Sequence, residues 1–182
     1  SNAAIALLDN IVANGNLGSQ LDGANTFWFA LRLANIVGHS YGCRLFAIGT
    51  SSGDTDISII KEGNDQWAVR FDNEAGGSDH RAAFYHDPGT TDPFTLVVQV
   101  DMNETGPSSR IRVTSNAKRV DLSSSDYAST DVLGRINNTD RILSLGNRGS
   151  LNRGVQGQIF YAEMGKGVLT EEQVKLIHTS LT

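Results

Sequence analysis

Apolar and polar residues alternate along several short stretches of this chain, the period of a half-buried β-strand. Phe27, Phe29, Leu31 and Leu33 alternate with Trp28, Ala30, Arg32 and Ala34, which gives one wholly apolar face and one mixed face. Trp67, Val69 and Phe71 alternate with Ala68 and Arg70 between the turn-forming pairs Asn64-Asp65 and Asp72-Asn73. The clearest strand is 94–102. There Phe94, Leu96, Val98, Val100 and Met102 face one side, and Thr95, Val97, Gln99 and Asp101 the other. Residues 43–49, 55–61, 81–86, 110–114, 142–147 and 157–164 supply further strands. Clusters of Gly, Asn, Asp and Ser separate them at short intervals, the organisation of a sandwich or barrel rather than of βαβ units. Residues 4–14 fit a short helix or a strand, which periodicity does not separate in so short a run. Residues 121–131 are polar and read as a long loop.

The period changes once, near the C-terminus. Thr170 followed by Gln173 forms a Ser/Thr-x-x-Glu/Gln capping box, with Glu171 and Glu172 in the positive first turn and His178 near the negative end. Val174, Ile177 and Leu181 then make an apolar stripe that predicts one helix docked on the β-structure.

At 182 residues the chain fits one domain with a substantial core. Its 19 glycines against 3 prolines suit turns made by Gly, Asn, Asp and Ser. A net charge of −5 with no Lys/Arg block leaves no footprint for nucleic acid. No apolar run approaches the roughly 18–20 residues a membrane-spanning helix needs, so no membrane insertion is expected. The single cysteine, Cys43, excludes an intrachain disulfide and reads as a small buried hydrophobe. Ser1-Asn2-Ala3 reads as an expression-tag remnant, leaving 4–182 as one sandwich domain.

Three stretches share a pattern. Leu21-Asp22-Gly23-Ala24-Asn25 precedes the first apolar strand. Residues 94–102 are followed by the strand that begins at Arg110 and leads to Lys118. The third stretch runs from Ile142 to Asn147, through the Gly-led strand 157–164, to the capped helix. Together they resemble laminin-G-like domains of the concanavalin A-like lectin and glucanase superfamily, over roughly half the chain. The resemblance implies an all-β, concanavalin A-like jelly-roll β-sandwich with one C-terminal α-helix. It also implies a non-catalytic carbohydrate-binding or adhesion module of a larger extracellular or phage structural protein. Its partner would be a glycan or a cell-surface or virion component, and its location extracellular, on the cell surface or on the virion.

There are departures from the pattern. Ser115-Asn116-Ala117 stands where an Asn-Gly turn is usual, and the Glu-x-Asp-x-x-Glu strand of the glucanases is absent. Retaining glycosidases need two carboxyls about 5–5.5 Å apart. Asp54-Thr55-Asp56 has no carboxylate at the needed offset and Glu163 stands alone in its strand, so no hydrolase of that type is expected.

Binding candidates follow from sugar chemistry, in which an aromatic face meets the apolar side of the ring while carboxylates, amides or Arg bond the hydroxyls. Tyr85 and His86 at a strand end offer stacking, and Asp101, Asn103, Glu104, Asn147, Arg148, Asn152 and Arg153 offer polar groups in loops. Trp28 and Trp67 read as packing residues. No cofactor is expected except calcium, which the resemblance places on Asp22 and Asn25, with Asp54 and Asp56 as a second choice. The four histidines lack zinc spacing.

Two alternatives stay open. One is a structural or assembly domain that binds no sugar. The other is a serine esterase, because Gly38-His39-Ser40-Tyr41-Gly42 matches Gly-x-Ser-x-Gly. Ser40 would then be the nucleophile, His178 the base, and Asp92 or Asp140 the orienting acid. Against this, only residues 43–49 precede the next break, which is too short for the helix a nucleophile elbow requires.

Overall fold

The structure is a computed structural model that describes residues 26–37, 43–49, 55–61, 66–71, 80–85, 92–101, 103–104, 110–116, 118–119, 142–146 and 154–181. Ten strands and one helix occur among them. In chain order these are β1 (Thr26–Val37), β2 (Arg44–Gly49), β3 (Thr55–Lys61), β4 (Gln66–Phe71), β5 (His80–Tyr85), β6 (Phe94–Asp101), β7 (Ile111–Ser115), β8 (Lys118–Arg119), β9 (Ile142–Leu145), β10 (Gln156–Lys166) and α1 (Glu171–Ser180). They form two five-stranded sheets. Sheet A has the order β10-β1-β6-β7-β8 and sheet B the order β5-β4-β3-β2-β9. Every pairing is antiparallel.

The alternation seen in the sequence decides which side chains meet. Phe27, Phe29, Leu31 and Leu33 of β1 and Phe94, Leu96, Val98 and Val100 of β6 face inward from sheet A. Phe46, Ile48, Ile57, Ile59, Trp67 and Val69 face them from sheet B. All are buried. The Phe29 and Phe46 rings touch across the layer with centroids 4.0 Å apart, a tilted pairing that adds to their area burial. Cys43 is buried and forms no disulfide, as its place in an apolar run predicted.

The mixed face of sheet A is buried as well. Ala30 and Val97 pack under Val174, with Trp28, Leu169 and Ile177 around them. Helix α1 therefore closes the outer face of this sheet. Its start is fixed by both halves of the capping box: Gln173 N–H donates to Thr170 Oγ1 (3.2 Å), and Thr170 N–H to Gln173 Oε1 (2.8 Å). Gln99, on the outer face of β6, accepts the Leu169 N–H at 2.9 Å and ties the helix start to the sheet. The outer face of sheet B is buried too, through Ala47, Ser58, Ile60 and Ala68.

The β7–β8 turn explains the missing Asn-Gly. Asn116 itself takes the left-handed conformation, at φ 46°, which asparagine tolerates better than most residues. Its side-chain Oδ1 accepts the Thr95 N–H (2.9 Å) while its own N–H donates to Thr95 O (2.9 Å). One asparagine thus closes the turn and continues the ladder to β6.

Candidate functional site

Strand register sorts the loop candidates to opposite ends of the sandwich. At one end lie Val37, Cys43, Lys61, Gln66, Tyr85, Phe94 and Leu145; Lys61 N–H donates to Cys43 O, and Val155 N–H to Gly146 O, joining strand ends. Tyr85 is the last residue of β5, paired with Gln66. At the other end lie Thr26, which pairs with Asp101, and Gly167, whose N–H donates to Thr26 O at 2.9 Å. Tyr85 and Asp101 therefore belong to opposite ends and do not form one site. His86, Asn147, Arg148, Asn152, Arg153, Asp22, Asn25, Asp54, Ser40 and Asp140 lie outside the described residues.

The Asp101 carboxylate is used locally. Asp101 Oδ1 accepts the Asn103 N–H at 3.0 Å, an Asx-type turn. Glu104 O accepts from Arg110 Nε at 2.6 Å, and the Glu104 carboxylate lies 3.9 Å from Arg112 Nη2. Arg110 is buried, so its hydrogen bond ties Glu104 to the residue just before β7. Among the described residues no group of three or more His, Cys, Asp or Glu is arranged to hold a metal ion.

His178, offered in the sequence as the base of an esterase, is only 3% exposed, on the face of α1 that also buries Val174. Among the described residues neither ring nitrogen has a hydrogen-bond partner, and the same holds for Thr95 Oγ1 on the buried outer face of β6. Burial pushes the imidazole pKa below its ordinary value.

With the outer faces of β1 and β6 and of β2–β4 covered, the exposed aromatic side chains among the described residues lie on β10, which is an edge strand among the described strands. Opposite β1, Arg32 pairs with Tyr161 and Leu33 with Ile159, so Phe160 is the extra residue of a β-bulge. The bulge turns two consecutive aromatic side chains toward solvent, Phe160 at 55% and Tyr161 at 37% exposure. They are the exposed large aromatics among the described residues. Two residues on, and on the same face as Tyr161, Glu163 accepts a hydrogen bond from the Tyr161 hydroxyl. That bond, with partial burial and the carboxylate charge adding to it, raises the Tyr161 pKa and keeps the phenol protonated. Another two residues on, Gly165 leaves room for the Trp28 indole, whose ring atoms lie 2.7–2.8 Å from where a Cβ would stand. Tyr161, Glu163 and the Trp28 ring therefore follow one another along one face of the edge, over about 13 Å of strand.

Sequence reasoning placed β10 but passed over this strip. The signal was present: Ile159-Phe160-Tyr161 interrupts strict alternation, as a bulge requires.

The two-sheet jelly roll with its helix has close counterparts among solved structures. The fold is concanavalin A-like. The sialidase carbohydrate-binding module CBM40 of Ruminococcus gnavus, solved with α2,6-sialyllactose, superposes with a TM-score of 0.62 over 85% of this chain and 84% of its own, at 11% identity. A heptameric SAP-like pentraxin from Limulus polyphemus matches at TM-score 0.58, over 87% of this chain and 71% of its own, at 12% identity. The binding domain of botulinum neurotoxin DC, in complex with SialylT, matches at 0.59 over 87% of this chain, at 14% identity. The chain spans 36% of the toxin chain's length. No family model matches the sequence, and no curated protein does. At such identities the likeness carries the architecture alone.

Proposed function

We propose that this chain is a non-catalytic glycan-binding module, and that it binds through the β10 edge. The observation that carries this reading is the strip of Phe160, Tyr161 and Glu163: exposed aromatic faces beside a carboxylate on a rigid strand. Aromatic faces bury the C–H side of a pyranose, and the carboxylate accepts from its hydroxyls. A bulged strand holds both without the ordering entropy a loop would lose on binding. Two lines support the reading. The sandwich is shared with a module that binds sialyllactose, and the three sequence stretches described above resemble laminin-G-like domains. Extracellular, cell-surface or virion display belongs to the same proposal.

A glycan array probed with the purified protein tests it. Hits are expected with the wild type and are expected to fade in Phe160→Ala, whose fold should be intact because the side chain is exposed. An array without hits from a folded sample would contradict the proposal.

The assembly alternative draws on the same feature, since an exposed aromatic edge strand also suits a second copy. Light scattering separates the two. A monomer agrees with sugar binding, whereas a dimer that Phe160→Ala dissociates would favour assembly.

A further inference from the structure

From the polar groups on the β10 edge we infer that this site takes an uncharged, hydroxyl-rich sugar in preference to a sialylated one, and that Glu163 sets the preference. The inference rests on the glycan-binding reading and narrows it. The Tyr161 hydroxyl spends its proton on Glu163, and that proton is held firmly because the phenol pKa is raised. What Tyr161 and Glu163 turn to a ligand is therefore lone pairs: those of the phenol oxygen and the remaining ones of the carboxylate. Such a site is satisfied by a ligand rich in donors, which sugar hydroxyls and N-acetyl N–H groups supply.

A ligand carboxylate meets the opposite situation. It brings acceptors to acceptors and a negative charge to Glu163, on a chain whose net charge is −5. The positive groups nearby do not reverse this. Arg32 stands opposite Tyr161 but is half-buried and already engaged within the protein. Lys166 pairs with Phe27, which faces the core, so its position falls on the other face of β10 from Tyr161 and Glu163. Gln158, in register with Ala34 on the Tyr161 side, offers an amide that serves a donor or an acceptor and does not discriminate. The sandwich is shared with a sialyllactose-binding module, but the charge on this edge points to a different class of sugar.

The test is isothermal titration of the wild type, Phe160→Ala and Glu163→Gln with lactose, maltose, cellobiose and N,N′-diacetylchitobiose, and with α2,3- and α2,6-sialyllactose. At least one neutral sugar is expected to bind more tightly than either sialyllactose. Phe160→Ala is expected to weaken it about tenfold, the loss that removing roughly half a buried phenyl predicts. Glu163→Gln keeps the side-chain length and removes the charge, so it is expected to narrow the gap between lactose and sialyllactose by about fivefold. Tighter binding of sialyllactose by the wild type would overturn the inference and leave the glycan-binding reading intact. Neutral-sugar binding that Phe160→Ala does not touch would also overturn the inference, and would take the proposed glycan site off the β10 edge. If the wild type binds none of the six while the array also stays blank, both readings fall together.

Discussion

Gly165→Ala is expected to lower the melting temperature by roughly 3–8 °C, a large effect for one methyl group on an edge strand. A Cβ at this position would stand 2.7 Å from Trp28 Cε2 and Cζ2, closer than packed carbon atoms approach. The indole cannot retreat freely, because it packs with Ala30, Val97 and Leu169 under α1. Either the ring tilts and lifts the helix, or β10 moves away from β1; overpacking of this kind costs about 1–3 kcal/mol. Intrinsic strand preference runs the other way, since glycine weakens strands, so a loss of stability would be the signature of the contact. A double-mutant cycle isolates it. In a Trp28→Leu background the same Gly165→Ala change is expected to cost little, and equal costs in both backgrounds would show that the two positions are not coupled.

The second large effect is a loss of stability in mild acid, carried by His178. Its folded-state pKa is depressed by burial, while in the unfolded chain it titrates near the ordinary value of about 6.5. The unfolded chain therefore takes up the proton first as the pH falls. The contribution is present in full above about pH 6.5 and is lost as the pH drops through that value toward the folded pKa. The neighbouring groups do not rescue the imidazolium. Lys175 precedes it on the helix, and Arg32 is the charged residue next to Thr95 on the outer face of sheet A, while Glu163 is held by Tyr161 on the exposed edge.

His178→Leu is expected to flatten the stability profile between pH 7 and pH 5. At neutral pH it should also stabilise the fold by about 1 kcal/mol, since it removes two buried nitrogens that have no partner among the described residues. Urea unfolding at pH 7, 6 and 5 checks both. A wild-type profile as flat as the variant's would refute the assignment.

These two predictions lie where the sequence was least legible. Period-2 alternation told the inward from the outward residues of β1 and β6 correctly, because each strand has a wholly apolar face that can only turn to the core. The capping box located the helix start to the residue. The helix stripe was read as Val174, Ile177 and Leu181, yet the structure buries His178 together with Val174. Charge and dipole arguments place a histidine outward near a helix C-terminus, and the approach of sheet A, remote in sequence, overrides them. The pairing of Gly165 with Trp28 is likewise a contact across register, invisible along the chain.

The site was read from residue types alone. Asp101 and Asn103 carry polar groups in the right place for a ligand, but the structure commits the Asp101 carboxylate to a turn. Phe160 was taken as one more strand residue, because a bulge is a property of two strands and not of one.

The most direct test of the account is a backbone amide NMR titration of the 15N-labelled protein with the strongest glycan from the array. Binding at the β10 edge predicts the largest shifts at Gln158, Phe160, Tyr161 and Glu163, with smaller ones at Arg32 across the register, and little change at Asn103 and Glu104. Shifts concentrated at Asn103 and Glu104, or at Tyr85 on the opposite end, with β10 unmoved, would contradict it.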